Sequence, residues 1–426
     1  MIDFTRFTLD NGMRLLVHVD TNTPMAAFNL MYNVGSRDES PDKTGFAHLF
    51  EHLMFGGSVN APDFDDPIQL AGGENNAFTN NDVTSYYQVL PAENLETAFW
   101  LESDRMLNLN FDRKVLNVQR KVVVEEFKET CLNEPYGDVF HHLSEMAYKV
   151  HPYRWPTIGL VPEHVEKARM ADVRSFFGKH YRPNNAVLVV CGNVEPETVR
   201  AMAVKWFGDI PAGKIPVRDL PAEPPQKDAV FRIARGNVPN EALYLAFHCP
   251  ARMERDYYVV DLLSDILGNG PSSRLYRRLL KERELFTSVD CYITGSADPG
   301  LFIIEGKPAE GVTLEKAEDA IWEEIEMLRK EFVPDRELEK IKNKAEATLI
   351  FSELSVLNKA INLAFFEILG DGSWINEEEG IYNSITAADL RRMAGSMLVP
   401  ENCSRLYYKP KEEQQVEPVA AESLAQ

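Results

Sequence analysis

The chain carries a faint internal repeat, and this repeat constrains its fold more than any other feature of the sequence. Residues 46–57, FAHLFEHLMFGG, match residues 259–270, VVDLLSDILGNG, at an offset of 213 positions. Residues 171–185 match residues 388–402 at an offset of 217 positions. Similar patterns in the same order and at nearly the same spacing predict one fold that is used twice.

The length of the chain also supports two domains. At 426 residues it exceeds the size at which one hydrophobic core usually suffices. Residues 211–229 contain five prolines and few apolar side chains, so they cannot continue a helix or a strand. We therefore predict an N-terminal domain at 1–210, a linker at 211–229 and a C-terminal domain at 230–410. The polar tail at 411–426 is expected to be disordered.

Short apolar runs alternate with longer stretches of helical periodicity throughout the chain. The runs that most resemble strands occupy residues 13–19, 26–34, 84–90 and 186–194. This alternation predicts a mixed fold of strands and helices.

The charge balance argues against nucleic acid as a partner. The net charge is −21, and no block of lysine and arginine interrupts the acidic background, so phosphate groups would be repelled. No uninterrupted apolar run reaches the length of about 18 residues that a membrane helix needs. We expect neither a nucleic acid nor a membrane as a partner.

The cysteines and the N-terminal residues indicate in which cellular compartment the protein is expected. The five cysteines are widely spaced and form no C-x-x-C pair, which favours reduced, buried thiols. The first residues lack the basic end and apolar centre of a signal peptide. The expected location is the cytoplasm, or the periplasm if a signal peptide has been removed.

Three residues in the first copy of the repeat predict a metal site. On a helix, His48 and His52 lie about 40° apart on one face, and Glu51 lies about 60° to the other side of His48. The second copy has Asp261, Ser264 and Asp265 at these positions, so the chemistry belongs to the first half alone. Paired histidines also occur in helices by accident, but the added glutamate makes accident a weaker explanation.

A catalytic zinc site needs a third protein ligand and one position for water. The next acidic stretch of helical sequence, residues 117–130, offers Glu125, Glu126 and Glu129. Spacing alone does not choose among these three carboxylates.

The His48-Leu49-Phe50-Glu51-His52 motif resembles that of the inverzincin metallopeptidases of the pitrilysin, insulysin and mitochondrial processing peptidase family. The likeness runs along nearly the whole chain. It includes LDNGMR, GSRDES, GFAHLFEHLMF, NAFTNNDVTSYY and, in the second half, SSRLY. The resemblance implies an α+β fold of two homologous α/β domains, each a mostly antiparallel sheet with helices packed on it. The chain looks like a small, bacterial-type subunit that bears the metal.

The resemblance also selects the third ligand. The family segment E-R-x-V-x-x-x-E reads QRKVVVEE here, at residues 119–126, which implies Glu126 as the ligand of one Zn²⁺ per chain. The first glutamate of that segment is Gln119 in this chain, where the family has an outer group that supports the site. Its loss is expected to weaken metal binding or change the charge of the site.

The implied activity is endopeptidase cleavage of peptides or unstructured protein segments. Glu51 would act as the general base on the attacking water, beside a zinc ion that polarises the carbonyl. In family members the substrate adds a strand to a sheet edge beside the metal. The matching positions here are Asn76, Ala77, Phe78 and Thr79. Without the resemblance, this segment reads as an ordinary half-buried strand.

The second half departs from the family pattern. Family members carry an Arg and a Tyr, seven residues apart, that reach the substrate, but here those positions hold Leu280 and Thr287. We therefore expect a homologous companion subunit that supplies the missing pair, or otherwise a homodimer. The alternative function is a non-catalytic scaffold subunit with a relic zinc site. A zinc hydrolase acting on other bonds is a third possibility, disfavoured because the edge strand suits an extended chain.

Overall fold

The computed structural model describes residues 1–215 and 217–411 of the chain. The predicted tail at 411–426 lies, apart from Lys411, outside the described residues.

The first half contains a six-stranded sheet in the order β1-β2-β6-β3-β5-β4. All neighbours are antiparallel except β2 and β6, which are parallel. Every residue of β6 is buried, as its unbroken apolar sequence predicts for a central strand. The strands are β1 (Thr5–Thr8), β2 (Arg14–Val19), β3 (Met25–Tyr32), β4 (Glu74–Thr79), β5 (Thr84–Pro91) and β6 (Ala186–Gly192).

The second half contains a five-stranded sheet in the order β7-β11-β8-β10-β9. Again one pair, β7 and β11, is parallel and the others are antiparallel. This order and these directions repeat those of β2, β6, β3, β5 and β4, as the internal repeat predicts. The strands are β7 (Val230–Gly236), β8 (Ala242–Cys249), β9 (Phe286–Ile293), β10 (Gly300–Pro308) and β11 (Cys403–Pro410).

Helices pack on both sheets and complete the α+β fold. The first half has α1 (Phe46–Met54), α2 (Asp65–Leu70), α3 (Glu96–Asn108), α4 (Arg113–Phe127), α5 (Val139–Ala147), α6 (Pro162–Glu166), α7 (Met170–His180) and α8 (Pro196–Phe207). The second half has α9 (Arg255–Leu267), α10 (Leu314–Lys330), α11 (Asp335–Ser352), α12 (Val356–Leu369), α13 (Glu378–Ser384) and α14 (Ala387–Met397).

The two halves exchange one helix each. Helix α12 packs on strands β3 and β6 of the first sheet, where Leu363 and Ala364 join a buried cluster with Met31 and Val189. Helix α5 packs on β8 and β11 of the second sheet. The predicted boundaries at 210 and 230 separate the two sheets and stay predictions, but each half covers a face of the other half's sheet.

The stretch predicted as a linker is hydrogen-bonded to the first half at Arg218 and at Glu223. Arg218 donates to both carboxylate oxygens of Asp38, at 2.9 Å each. The Glu223 carboxylate accepts hydrogen bonds from the backbone N–H groups of Lys149, Val150 and His151 at 2.9–3.0 Å.

No single helix in residues 1–215 and 217–411 is long and apolar enough to cross a membrane. Helices α11 and α12 together meet the length and composition required, but they are bent by 107°. The second of them is the helix that lies against the first sheet.

Candidate metal centre

Helix α1 brings the histidine pair to the surface of the first half. Gly45 precedes it with φ +82°, and a Cβ there would lie 2.7 Å from the Ile158 carbonyl oxygen, so only glycine fits this start. Leu49, Phe50 and Met54 are fully buried beneath the helix. The opposite face therefore presents His48, Glu51 and His52, as the predicted helical spacing requires.

Helix α4 supplies the carboxylate. It packs against α1 and buries Val123, Val124 and Phe127. Glu126 lies next to these buried residues on the helix, and its side chain is 37% exposed. The Glu125 side chain points outward, is 64% exposed and pairs with Lys128 at 2.7 Å.

The three predicted ligands converge. The Nε2 atoms of His48 and His52 lie 3.3 Å apart. The Glu126 carboxylate lies 3.6 Å from His48 Nε2 and 3.2 Å from His52 Nε2. All three ligand atoms are within 4.8 Å of one another.

This donor set fits a zinc ion. With the bond lengths that zinc takes to imidazole nitrogen and carboxylate oxygen, tetrahedral ligand atoms are about 3.4 Å apart, close to the observed 3.2–3.6 Å. The Nε2 atoms of both imidazoles and the Glu126 carboxylate face one point, so three donor atoms are available to a single cation. His48, His52 and Glu126 are the residues that would hold the ion.

The protonation states also suit a metal. Burial lowers the pKa of His48 to about 4, so its imidazole is neutral at pH 7. The hydrogen bond from His52 lowers the pKa of Glu126, which favours the carboxylate. Neutral imidazole and ionised carboxylate are the forms that bind zinc.

Glu51 has a different environment from Glu126. Burial raises its pKa, while a hydrogen bond from Thr79 opposes that shift. A carboxylate with a raised pKa beside a metal site can take and return a proton. Thr79 links the residue to the edge of the sheet.

Strand β4, which contains Asn76–Thr79, is one of the two edge strands of the first sheet in the described part of the chain, and its outer side is a free edge there. Asn80 N–H bonds to the Val83 carbonyl at 3.0 Å, and ladder bonds to β5 then alternate back along the strand. The backbone groups of Ala77 and Thr79 therefore face the free edge. The Ala77 N–H donates a hydrogen bond to Oδ1 of the Asn76 side chain at 2.8 Å.

The remaining predicted residues lie apart from the cluster. Gln119 is half-buried two turns before Glu126, and no hydrogen bond joins it to the candidate ligands in the part of the chain that the structure describes. Leu280 packs on the core of the second half. Thr287 lies on β9 and donates to the Lys307 carbonyl at 3.1 Å.

The second half holds an ion pair in the region equivalent to the metal cluster. Asp265, the counterpart of His52, accepts from Lys344 Nζ at 2.8 Å. Lys344 lies on α11, which packs against α9 as α4 packs against α1, and also donates to the Asn269 carbonyl at 3.0 Å.

Sequence reasoning missed a cavity of about 370 Å³ between the halves. It begins beside the end of α4, where His141 contacts Phe127 with ring centroids 5.5 Å apart. No local pattern signals it, because its walls come from distant segments. They include Cys131, Phe140, His141, Trp155, Thr294 and Leu301.

Known proteins share this fold. The crystal structure of a protease from Helicobacter pylori superposes with a TM-score of 0.92 at 27% identity, covering 96% of this chain and 100% of that one. The two-domain α+β architecture is that of M16-like peptidases.

Sequence comparison agrees. Residues 14–159 match the family described as Insulinase (Peptidase family M16), and residues 167–345 match the Peptidase M16 inactive domain. Zinc protease PqqE of Helicobacter pylori is 28% identical over 411 residues, covering 95% of this chain and 92% of that protein. The beta subunit of the mitochondrial-processing peptidase of Saccharomyces cerevisiae is 26% identical over 365 residues, covering 81% of this chain and 77% of that subunit. The chain belongs to peptidase family M16.

Proposed function

We propose that the chain is a zinc-dependent endopeptidase that cleaves peptides or unstructured protein segments. The observation that carries the proposal is the convergence of two imidazole nitrogens and one carboxylate within 4.8 Å, beside a free sheet edge. The names of similar proteins, zinc protease and processing peptidase, support the same class.

Each residue has a role in this proposal. His48, His52 and Glu126 would hold the zinc ion, which when bound would polarise a peptide carbonyl and make water more acidic. Glu51 takes a proton from the attacking water and returns it to the leaving amine. No covalent intermediate with the protein is needed.

The free edge of β4 binds the substrate as an added antiparallel or parallel strand. The outward backbone groups of Ala77 and Thr79 supply the hydrogen bonds. The Asn76 side chain, which now covers the Ala77 N–H, turns away when the substrate strand takes its place. The cavity between the halves offers room for an apolar side chain of the substrate.

A homologous companion subunit completes the enzyme in this proposal. Leu280 and Thr287 cannot supply the cationic and phenolic groups that the family brings to the substrate, and the similarity to a named beta subunit favours a paired assembly. Co-purification from the native source should yield a second M16 chain. Full activity of the purified chain alone would contradict the need for a companion.

The central test is Glu51→Gln. This change removes the base but keeps the size of the side chain, so cleavage of an unstructured peptide should fall by at least about 100-fold while zinc content stays at one per chain. Peptide digestion followed by mass spectrometry, with metal analysis of the same samples, measures both. The matched control is Glu125→Gln, which changes an exposed carboxylate on α4.

The scaffold alternative predicts a different result. If the wild-type chain, with zinc and with its companion, cleaves no peptide in a mixed library, then Glu51 has no activity to support and the chain is a non-catalytic subunit. Cleavage of small esters or amides without cleavage of peptides would favour a hydrolase of another class.

A further inference from the structure

Residues 35–39, GSRDE, immediately precede the loop that leads into α1, and we call them the hub segment. The segment lies against the turn between β4 and β5, where Ser36 N–H bonds to the Asn80 carbonyl at 3.1 Å and Arg37 N–H to the Asn81 carbonyl at 3.0 Å. A Cβ on Gly35 would come within 2.4 Å of the Asn81 oxygen. The segment therefore packs tightly on the end of the proposed substrate strand.

Glu39 caps the metal-binding helix. Its two carboxylate oxygens accept from Gly45 N–H at 3.0 Å and from Ala47 N–H at 2.7 Å. Gly45 has no side chain with which to satisfy these groups, and the first N–H groups of a helix have no partner within the helix. Glu39 is buried, and burial raises the pKa of its carboxyl, while the hydrogen bonds from the start of α1 oppose that rise.

Arg37 joins the substrate strand to the second half. Its side chain is buried, with Nη1 2.8 Å from Asp82 Oδ1 and 3.0 Å from Asp298 Oδ2. Asp82 lies in the turn after β4, and Asp298 lies in the loop between β9 and β10. Asp82 also accepts a hydrogen bond from the Ala297 N–H at 2.8 Å. The turn is therefore joined to that loop by two interactions, the bridge through Arg37 and this hydrogen bond.

Asp38 connects the hub segment to the linker. Both of its carboxylate oxygens accept from Arg218, and one of them also accepts from the Gly35 N–H at 3.1 Å. Four consecutive residues, Ser36 to Glu39, thus contact the turn after the edge strand, the second half, the linker and the metal-binding helix.

We propose that the hub segment couples the contact between the two halves to the reaction site. Glu39 positions the helix that carries the zinc ligands, and Arg37 positions the turn of the strand that binds substrate. Both are positioning residues, because the contacts described above link them to these two elements and include none with His48, Glu51, His52 or Glu126. The proposal rests on the proposed peptidase function.

The two roles give separable effects. Loss of the Glu39 cap loosens the start of α1 and lowers zinc affinity, while the substrate strand keeps its place. Loss of the Arg37 contact to the second half loosens the β4–β5 turn and raises KM, while zinc affinity stays unchanged.

Glu39→Gln tests the first role. An amide offers one accepting oxygen and turns an NH₂ group toward the second N–H, so one cap bond is lost. We expect faster hydrogen exchange of the amides at 45–47 and a fall in zinc affinity of about tenfold, the lower end of what losing a supporting group produces. Exchange mass spectrometry and chelator competition measure these changes. The control is Asp42→Asn, a change of an exposed carboxylate in the same loop.

Asp298→Ala tests the second role. We expect faster exchange of the amides at 80–83 and a KM for peptide about fivefold higher, the factor that one net hydrogen bond carries, with zinc affinity within twofold of wild type. The control is Glu310→Ala, which removes an exposed carboxylate from the same half. Arg37 itself is left in place, because its removal would leave Asp82 buried without a cation.

The outcomes are distinct. Wild-type exchange at 45–47 and wild-type zinc affinity in Glu39→Gln would overturn the role of Glu39. Unchanged exchange at 80–83 and unchanged KM in Asp298→Ala would overturn that of Arg37. If Glu39→Gln does not fold, Glu39→Asp, whose shorter carboxylate cannot span both N–H groups, replaces it with the same expected result. If no peptide is cleaved by the wild type, the proposed function fails, and the exchange measurements still decide the two positioning roles.

Discussion

Glu126 differs from Glu125 and Glu129 mainly in the direction that the helix gives its side chain. The sequence spacing left the three carboxylates equivalent, and the family resemblance selected Glu126. The packing of α4 on α1 provides the physical reason, because it buries Val123 and Phe127 and turns Glu126 toward the histidines. Which of the three glutamates faces the histidines depends on how α4 is rotated against α1, and this rotation is known only once the two helices are seen packed together.

Replacement of these carboxylates tests that choice. Glu126→Gln should lower zinc affinity by more than about 100-fold, beyond the range produced by supporting groups, because it removes a charged ligand. Glu125→Gln and Glu129→Gln should leave affinity within about threefold of wild type, since both side chains point to solvent. Competition with a chromophoric chelator measures all three variants. Equal losses in all three would show that Glu126 is not a ligand.

Asp261, the counterpart of His48, is a half-buried acid. Burial raises its pKa to about 6, and Tyr382 donates to it at 2.6 Å. In the unfolded chain such a carboxyl loses its proton near pH 4. Its contribution to stability is therefore fully present below about pH 4 and is lost as the pH rises through about 6.

Asp261→Asn should remove this pH dependence. Relative to the variant, wild-type stability should fall by about 2 to 3 kcal/mol between about pH 4 and pH 7, because the folded wild type must release a buried proton. Thermal or urea unfolding across this range measures the difference. Asp319→Asn, an exposed change on α10, serves as the control and should follow wild type. Parallel curves for wild type and Asp261→Asn would contradict the prediction.

At the scale of elements, the local patterns predicted well what depends on local sequence. The runs at 13–19, 26–34, 84–90 and 186–194 correspond to β2, β3, β5 and β6, and the helix predicted to carry His48 and His52 corresponds to α1. The sheet order and the edge position of β4 were not readable from its own sequence. They depend on the pairing of β5 with β3, which is a contact between residues that are distant in the sequence.

Ala77→Pro tests the edge strand. Proline removes the N–H that faces the free edge, which edge strands tolerate, so the fold should survive while KM for peptide rises about fivefold. Steady-state kinetics and thermal unfolding measure the two effects. Phe78→Pro is the matched contrast, since it removes an N–H that bonds to β5 and should destabilise the sheet. An unchanged KM in Ala77→Pro would argue against strand addition at this edge.

At the scale of the whole molecule, the internal repeat predicts one fold used twice in two domains, and the structure shows an exchange of helices between them. Helix α12 covers the first sheet and α5 covers the second. Neither exchange could be predicted from sequence, because an amphipathic helix such as α12 has an apolar face without specifying which sheet that face will cover.

A chain cut at the predicted linker should expose this dependence. Residues 1–210 alone lack α12, which leaves an apolar sheet face uncovered, so the fragment should aggregate. Co-expression with residues 230–411 should restore a soluble complex. Solubility and size-exclusion chromatography measure both cases. A soluble monomeric 1–210 fragment with native strand content would contradict the prediction. The apolar side chains left uncovered include Leu16, Ala27, Met31, Val187 and Val189.

The Lys344–Asp265 pair gives the second half a permanent, covalently attached cation. Under the proposed function, the first half takes its cation from the surroundings, whereas the second half carries the Lys344 ammonium in the equivalent region. We therefore expect zinc removal to stop cleavage while the second half keeps its fold, so that added zinc restores activity without new synthesis of the protein.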